Sequence, residues 1–548
     1  MNEELARRKK ATIPIWICSA LAIGVLGGFA LRNYTTSKIG PPSTGSVGEI
    51  EEILQFVKEQ YVDSVNIVEL EESAISQALE ELDPHSIYIP ARDMVRENEQ
   101  MSGEYEGIGI EFFLLEDTIS VVSAISGGPS ESAGLRSGDK IVTVNDSLVA
   151  GVGITNEKVI KLLKGPKKTK VNVGVARSGV EDLIDFKITR GEIPLNSLDV
   201  AYMLDDINGY IKLNKFSTRT YQEFRIALEK LIGGGMQNLV LDLRGNGGGI
   251  LDDCLAILDE FIDGDKLLLS IEGKNYRRQE YRATNGRGNF EEGKLAILID
   301  ESSASASEIV AGAVQDWDRG IIIGRRSFGK GLVQQPYSLK NGSSLRLTIA
   351  RYYTPTGRSI QRAYDNGKSD YFQDWSERYA NGELVDGNSN EIDSSLLKET
   401  LIKKRPVYGG GGVMPDIFVP LDTASNGRFL SAVYMNSLIS QFAYDYYGHN
   451  VSIFDAYKDV NDFDNDFFVN QQIYADFVTF ATAKLPESSF TADDIALARK
   501  NVSMNVKALF AKQKFGPEGL YAVLNDEDKS IKAALDSFEG ESYAALIP

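Results

Sequence analysis

A chain of 548 residues with 43% apolar and 25% charged side chains is long enough for about three globular domains. Its net charge of −20 argues against nucleic acid as a partner, because phosphates would be repelled. Cysteine occurs only at Cys18 and Cys254 and histidine only at His85 and His449, which excludes a cysteine zinc site and a histidine-rich metal site.

Residues 1–12 are polar and carry Arg7, Arg8, Lys9 and Lys10; Ile13–Leu31 then runs 19 residues without a charge. That length spans a bilayer as a helix, and the basic cluster before it favours a cytoplasmic N-terminus. We expect a transmembrane anchor over 13–31, with the rest of the chain extracytoplasmic (periplasm or cell exterior); a cleaved signal peptide is the alternative. Residues 32–46 are rich in Ser, Thr, Gly and Pro and form a linker. Residues 47–102 carry helical periodicity, with Ile50, Ile53 and Leu54 on one face and Leu70, Ala74, Ala78 and Leu82 on another. The second pattern ends at Asp83-Pro-His-Ser86, where the proline breaks the helix.

Residues 103–191 behave as a unit. Alternating apolar residues in Tyr105–Phe112 enclose Gly107-Ile108-Gly109-Ile110, followed by the strand Ile119–Ile125 and the small-residue turn Gly128–Leu135. A further strand ends at Asn145, an amphipathic helix covers Asn156–Leu163, and another strand covers Lys170–Ala176. This succession resembles a PDZ domain. In that resemblance Gly107, Ile108, Gly109 and Ile110 form the carboxylate-binding loop, whose backbone amides cap the C-terminal end of a peptide added as a strand.

From Glu192 strands alternate with helices, which implies an α/β layer with parallel pairing. Asn238–Leu243 is a nearly continuous apolar strand that runs into Arg244-Gly-Asn-Gly-Gly-Gly249. This glycine run fits no nucleotide-binding pattern; it suits backbone that must approach a substrate closely and aim an amide at a developing oxyanion. Leu295–Ile299 ends in Asp300 and a cluster of hydroxyls at Ser302, Ser303, Ser305 and Ser307, and a helical pattern follows. Ser305-Ala-Ser-Glu308 also fits an ordinary capping box. Neither histidine lies near this cluster in sequence, so a nucleophilic serine here needs another base, and lysine is the known substitute. Residues 363–405 are polar and aperiodic, an excursion from the core. Residues 422–548 are a C-terminal helical module, with spacing for helices over Leu430–Tyr447, Gln471–Leu485, Thr491–Gln513 and Gly516–Phe538; its role is packing or contacts in a homo-oligomer.

The PDZ-like block, Leu241–Gly249, Ser303–Ile309, Ser327-Phe-Gly-Lys-Gly331, Arg351-Tyr-Tyr-Thr-Pro355 and Met414-Pro-Asp-Ile417, in this order, resemble the carboxy-terminal processing peptidases, the tail-specific serine proteases. The resemblance spans roughly residues 50 to 420. It implies an α/β core over 192–421 like that of Clp proteases and crotonases, with the β-rich PDZ domain inserted. It also implies Ser305 as nucleophile, Lys330 as base and Gln334 orienting the lysine. The oxyanion donors would be the amides of Ala306 and of Gly248 or Gly249. No metal or organic cofactor is implied, and the partners are proteins or peptides with exposed C-termini. Ligand binding to the PDZ domain would switch activity. A free lysine is neutral about once in 2,500 molecules at pH 7, so a lysine base must be buried or placed near positive charge. A silent PDZ scaffold and an enzyme acting on acyl-CoA are the rival readings.

Overall fold

The computed structural model describes residues 46–387, 394–423, 427–485 and 490–548. Its contacts divide the chain into two units, one ending at Ala78 and one running from Leu79 to Pro548. The first holds the helix Ser46–Gln60 and most of the helix Ile67–Glu80. The expected anchor over 13–31 and the linker up to residue 45 lie outside the described residues, and Ser46 already begins the first helix. Among those described, no helix is long and apolar enough to cross a membrane.

In the second unit, six strands lie side by side in the order Leu198–Met203, Asn208–Leu213, Asn238–Asp242, Lys294–Ile299, Ile321–Gly324 and Ile417–Phe418. The first pair is antiparallel and every later pair is parallel. Period-two alternation divides their side chains between two cores. Leu239, Leu241, Leu295, Ile297 and Ile299 pack with Phe224, Ile257 and Val310 from the helices Thr220–Gly233, Leu251–Asp259 and Ala306–Asp316. Val240, Ala296, Leu298, Ile321 and Ile323 face the other way, onto Ile531, Ala534, Phe538 and Tyr543. The continuous apolar run at 238–243 follows from this double coverage.

A second sheet joins Ile87–Ile89, Ser344–Tyr353, Leu267–Gly273 and Tyr276–Arg282, with Leu332–Ser338 also paired to Ser344–Tyr353. The segment 47–102 is therefore not helical throughout, because its Ile87–Ile89 strand completes this sheet beside Ser344–Arg346. The PDZ-like block has its own antiparallel sheet, ordered Ile110–Leu115, Thr118–Ala124, Lys140–Val144, Lys170–Ala176 and Ile184–Thr189. Its core includes Val121, Ile141, Val159, Leu163 and Val173, and Thr155 caps the helix Asn156–Leu163. The block enters and leaves through a two-stranded ribbon, Glu104–Gly107 against Gly191–Pro194.

Two expectations need correction. The described part of residues 363–405 is no excursion: the helix Lys368–Ala380 buries Tyr371 and Arg378, and Arg378 pairs with Glu383 at 2.9 Å while donating to the carbonyls of Arg326 and Ser327. The segment looks polar because it docks through ions as well as rings. The C-terminal residues are likewise not one module. Those from about 429 to 523 close around their own aromatic core, including Phe442, Phe477 and Phe510. The helices Lys529–Glu539 and Glu541–Leu546 instead cover the six-stranded sheet. The expected helix over Gly516–Phe538 is broken at Asp528, whose side chain caps a new helix by accepting from the Ser530 and Ile531 amides. If the last helices are a layer of the core, Phe538→Ala should lower stability by about 3–5 kcal/mol, read from urea unfolding followed at the core. An unchanged midpoint would place them outside the cooperative core.

Candidate active site

The strand Lys294–Ile299 delivers the serine turn to one end of the sheet, and three of its four hydroxyls can be assigned. Ser303 Oγ donates to the Leu243 carbonyl at 2.9 Å and Ser307 Oγ to the Asn246 carbonyl at 2.9 Å; both side chains are fully buried. Ser302 is exposed. Ser305 sits immediately before the helix Ala306–Asp316 with φ +55° and ψ −113°, a strained conformation for any residue but glycine. It opens on a cleft of about 760 Å³ that Ala306, Gly248, Gly249, Lys330, Gln334 and Arg346 also line. Strain at a half-buried, cleft-lining serine beside a helix N-terminus is the geometry of a nucleophile turn.

Glycine is required at two positions of the turn, Gly248 and Gly249. A Cβ on Gly248 (φ +93°) would lie 2.6 Å from the Ala304 carbonyl oxygen and 2.7 Å from Ser305 Cβ. A Cβ on Gly249 (φ +145°) would lie 1.9 Å from the Phe216 oxygen. Asn246 locks the two loops together. Its carbonyl accepts from the Ala304 amide at 3.0 Å, and its side chain accepts from the Gly248 amide at 2.9 Å. Among the described residues the amides of Ala306, Gly249 and the cleft-lining Gly247 have no protein acceptor, so they are open to a ligand oxygen.

Glu308 decides where the lysine lies. Its fully buried carboxylate accepts from the Ser305 amide at 2.9 Å, the Lys330 amide at 2.8 Å, the Gly329 amide at 2.7 Å and Ser327 Oγ at 2.6 Å. The buried Tyr352 hydroxyl closes the other side, within hydrogen-bonding reach of the Ser305 carbonyl (3.1 Å) and the Lys330 carbonyl. Glu308 thus holds both residues by their amides, and the single Tyr352 hydroxyl proton goes to one of the two carbonyls at a time. Burial pushes the Glu308 pKa up to about 7, against the pull of its four donors.

Lys330 Nζ donates to Gln334 Oε1 at 3.0 Å and makes no hydrogen bond to Ser305 among the described residues. Gln334 Nε2 in turn donates to the His85 carbonyl. That carbonyl belongs to the Asp83–Ser86 turn, in which Asp83 accepts from the His85 and Ser86 amides at 2.8 Å each. The Lys330 pKa is lowered, first by burial and then by the Arg346 guanidinium, with Glu308 and Asp83 opposing. Arg346 is itself paired with Glu97 at 2.7 Å. The His85 ring faces Tyr371 (Oη at 3.0 Å), and its pKa is lowered to about 4, chiefly by burial. It does not line the cleft, so its contribution is the backbone carbonyl.

Ser305, Lys330, Gln334, Ala306, Gly248 and Gly249, which the resemblance named, all line one cleft in the structure. Sequence reasoning took Glu308 for a cap, gave Tyr352 no role although it lies in Arg351-Tyr-Tyr-Thr-Pro355, and missed Arg346, which sits on an ordinary strand pattern. Gly107, Ile108, Gly109 and Ile110 lie apart from the cleft, in the PDZ-like domain. Gly107 closes the ribbon opposite Gly191, Ile108 is 2% exposed, and Gly109 turns at φ +74°. Ile110 starts an edge strand that pairs only with Thr118–Ala124 among the described residues. That edge is free to receive a peptide strand.

Comparison with known proteins gives three family matches: Peptidase family S41 over residues 208–366, a PDZ domain over 107–188, and a family of unknown function over 429–516. The chain is 36% identical over 314 residues to the carboxy-terminal-processing protease of Bartonella bacilliformis, covering 57% of this chain and 71% of that one. It is 32% identical over 320 residues to the carboxy-terminal processing protease CtpB of Bacillus subtilis, covering 58% and 66%. Among solved structures, the photosystem II D1 C-terminal processing protease aligns at 28% identity and a TM-score of 0.33, covering 57% of this chain and 89% of that one.

Glu308→Gln would set an NH₂ group against backbone donors. Each buried donor left unpaired costs about 1–3 kcal/mol, so we expect kcat for a peptide to fall by at least about tenfold, with KM changed less. Tyr352→Phe should cost roughly fivefold in the same assay. Wild-type kcat in both variants would mean that something else holds the two backbones.

Proposed function

This chain belongs to peptidase family S41 as a carboxy-terminal processing serine protease with a PDZ domain, and from that membership we propose that Ser305 is its nucleophile, Lys330 its general base and Gln334 the residue that orients the lysine. One observation carries the assignment: of the serine cluster only Ser305 opens on the cleft that holds Lys330, while Ser303 and Ser307 spend their hydroxyls inside the protein.

In this reading neutral Lys330 accepts the Ser305 Oγ proton as Oγ attacks the scissile carbonyl carbon. The developing oxyanion takes hydrogen bonds from the Ala306 amide and from Gly249, whose amide is open where that of Gly248 is engaged by Asn246. Lys330 then gives the proton to the leaving amine, and water hydrolyses the acyl-enzyme by the same route in reverse. The PDZ domain recognises the C-terminal end of protein substrates. We place the end's carboxylate at the Gly107–Ile110 loop and its extended backbone along the free edge of Ile110–Leu115. The final side chain is apolar in this reading. The basic cluster and apolar run at residues 7–31 support a single-pass anchor, with the protease domain outside the cytoplasm.

Ser305→Ala and Lys330→Ala should each abolish cleavage of an unfolded protein, assayed by gel, while C-terminal peptide binding persists. Cleavage at the wild-type rate by both would sink the assignment; peptide binding by a wild type that never cleaves would favour a scaffold. The pH profile has a defined sign. Protonated Lys330 cannot act as a base, and protonated Glu308 would add a donor where four donors already point. The wild-type kcat/KM should therefore fall as pH drops through about 7. In Glu308→Gln that step should vanish while the lysine-dependent rise at higher pH remains.

A further inference from the structure

The PDZ domain joins the catalytic core by the ribbon Glu104–Gly107/Gly191–Pro194 and by an ion pair, Lys164 to Glu99 at 2.6 Å. A two-stranded ribbon is a weak constraint on rotation. A third attachment comes from the helices of residues 429–516, the stretch that matches a family of unknown function. Tyr444, 9% exposed, donates its hydroxyl to the Val121 carbonyl at 2.7 Å and accepts from the Gly138 amide at 3.1 Å. Its ring meets Phe113 edge-on at 6.3 Å, and Lys512 pairs with Glu111 at 2.8 Å.

These contacts fall on a meaningful strand. Glu111 and Phe113 alternate with Ile110, Phe112 and Leu114, which pack toward the PDZ core. The helical module therefore rests against the outward side chains of the strand proposed to receive the substrate tail, and leaves its hydrogen-bonding edge open. At its other end the module continues into a firm footing on the catalytic sheet. Tyr521 donates to Asp199 at 2.8 Å, Asn525 to Tyr202 at 2.8 Å, and Arg244 pairs with Asp528 at 2.8 Å. Beyond these bonds, Ile531, Ala534 and Phe538 are buried against the sheet. Between the two ends lies a core of interlocking rings such as Phe442–Phe477 and Phe454–Phe510, which gives the span little freedom to bend.

We propose that the 429–516 module is a strut: it fixes the PDZ domain's orientation on the catalytic core and so sets how many residues separate the bound C-terminal end from the bond cleaved at Ser305. The inference rests on the reading that the PDZ groove holds the tail and Ser305 cuts. An extended chain advances about 3.3 Å per residue, so a tail held at one end presents a narrow set of bonds only if the groove is held too. A swinging groove offers many.

The test maps product ends by mass spectrometry, from an unfolded protein with a defined apolar C-terminus, for the full chain and four variants: Tyr444→Phe, Lys512→Glu, Glu111→Lys and the double exchange Lys512→Glu/Glu111→Lys. Wild type should concentrate its cuts at a few bonds. Tyr444→Phe should reduce the share of the main product about fivefold, and each single charge reversal about threefold, by spreading cuts to neighbouring bonds. The double exchange should restore the wild-type pattern, which a general loss of stability would not do. Identical patterns in all variants would overturn the strut while leaving the protease assignment intact. Absence of cutting by wild type, or cutting retained in Ser305→Ala, would overturn the underlying reading and the strut with it.

Discussion

The site depends on one buried carboxylate. Glu308 accepts hydrogen bonds from the Ser305 and Lys330 amides, two residues 25 apart in sequence that belong to different loops. Tyr352 answers from the opposite side at one or the other of their carbonyls. A carboxylate fully out of water is costly unless it is bonded on all sides. Here the four donors that offset this cost are the backbone and hydroxyl groups of the active loops, so the ionised state of Glu308 and the assembly of the site are one condition. The strained Ser305 conformation is affordable for the same reason: both of its backbone polar groups are tied down.

The second constraint is the charge on Lys330. Burial does most to favour the neutral amine and Arg346 adds to it, while Glu308 and Asp83 pull the other way. Gln334 adds direction without charge. It holds Nζ through its amide oxygen and is itself held by the His85 carbonyl. Position and protonation are thus controlled by separate groups. The His85 ring, half-buried beside Tyr371 with its pKa lowered to about 4, stands aside from the chemistry.

Much of this was legible in the chain. Apolar runs whose two faces are both covered gave the parallel strands, and the PDZ-like alternation gave the second domain. The serine turn, the glycine run and Gly-Lys-Gly marked the cleft. What sequence alone left open was the choice among Ser303, Ser305 and Ser307, because three hydroxyls in a turn look alike until their partners are known. Glu308 looked like half of a capping box because it is one; its second task depends on a loop more than twenty residues away. Residues 363–405 looked detached because Arg378 and Tyr371 are buried through ion pairs and ring contacts, which leave no periodic trace. The last helices looked like part of the module before them because helical spacing cannot say which layer a helix joins.

The account stands most directly on the state of Ser305 and Lys330 together, and that is measurable by the rate at which a fluorophosphonate labels the protein as a function of pH. Tryptic mapping should find the adduct on Ser305 alone, and the labelling rate should rise along a titration whose midpoint lies below the ordinary lysine value of about 10.4. Labelling at Ser303 or Ser307, or a midpoint at the ordinary lysine value, would contradict it.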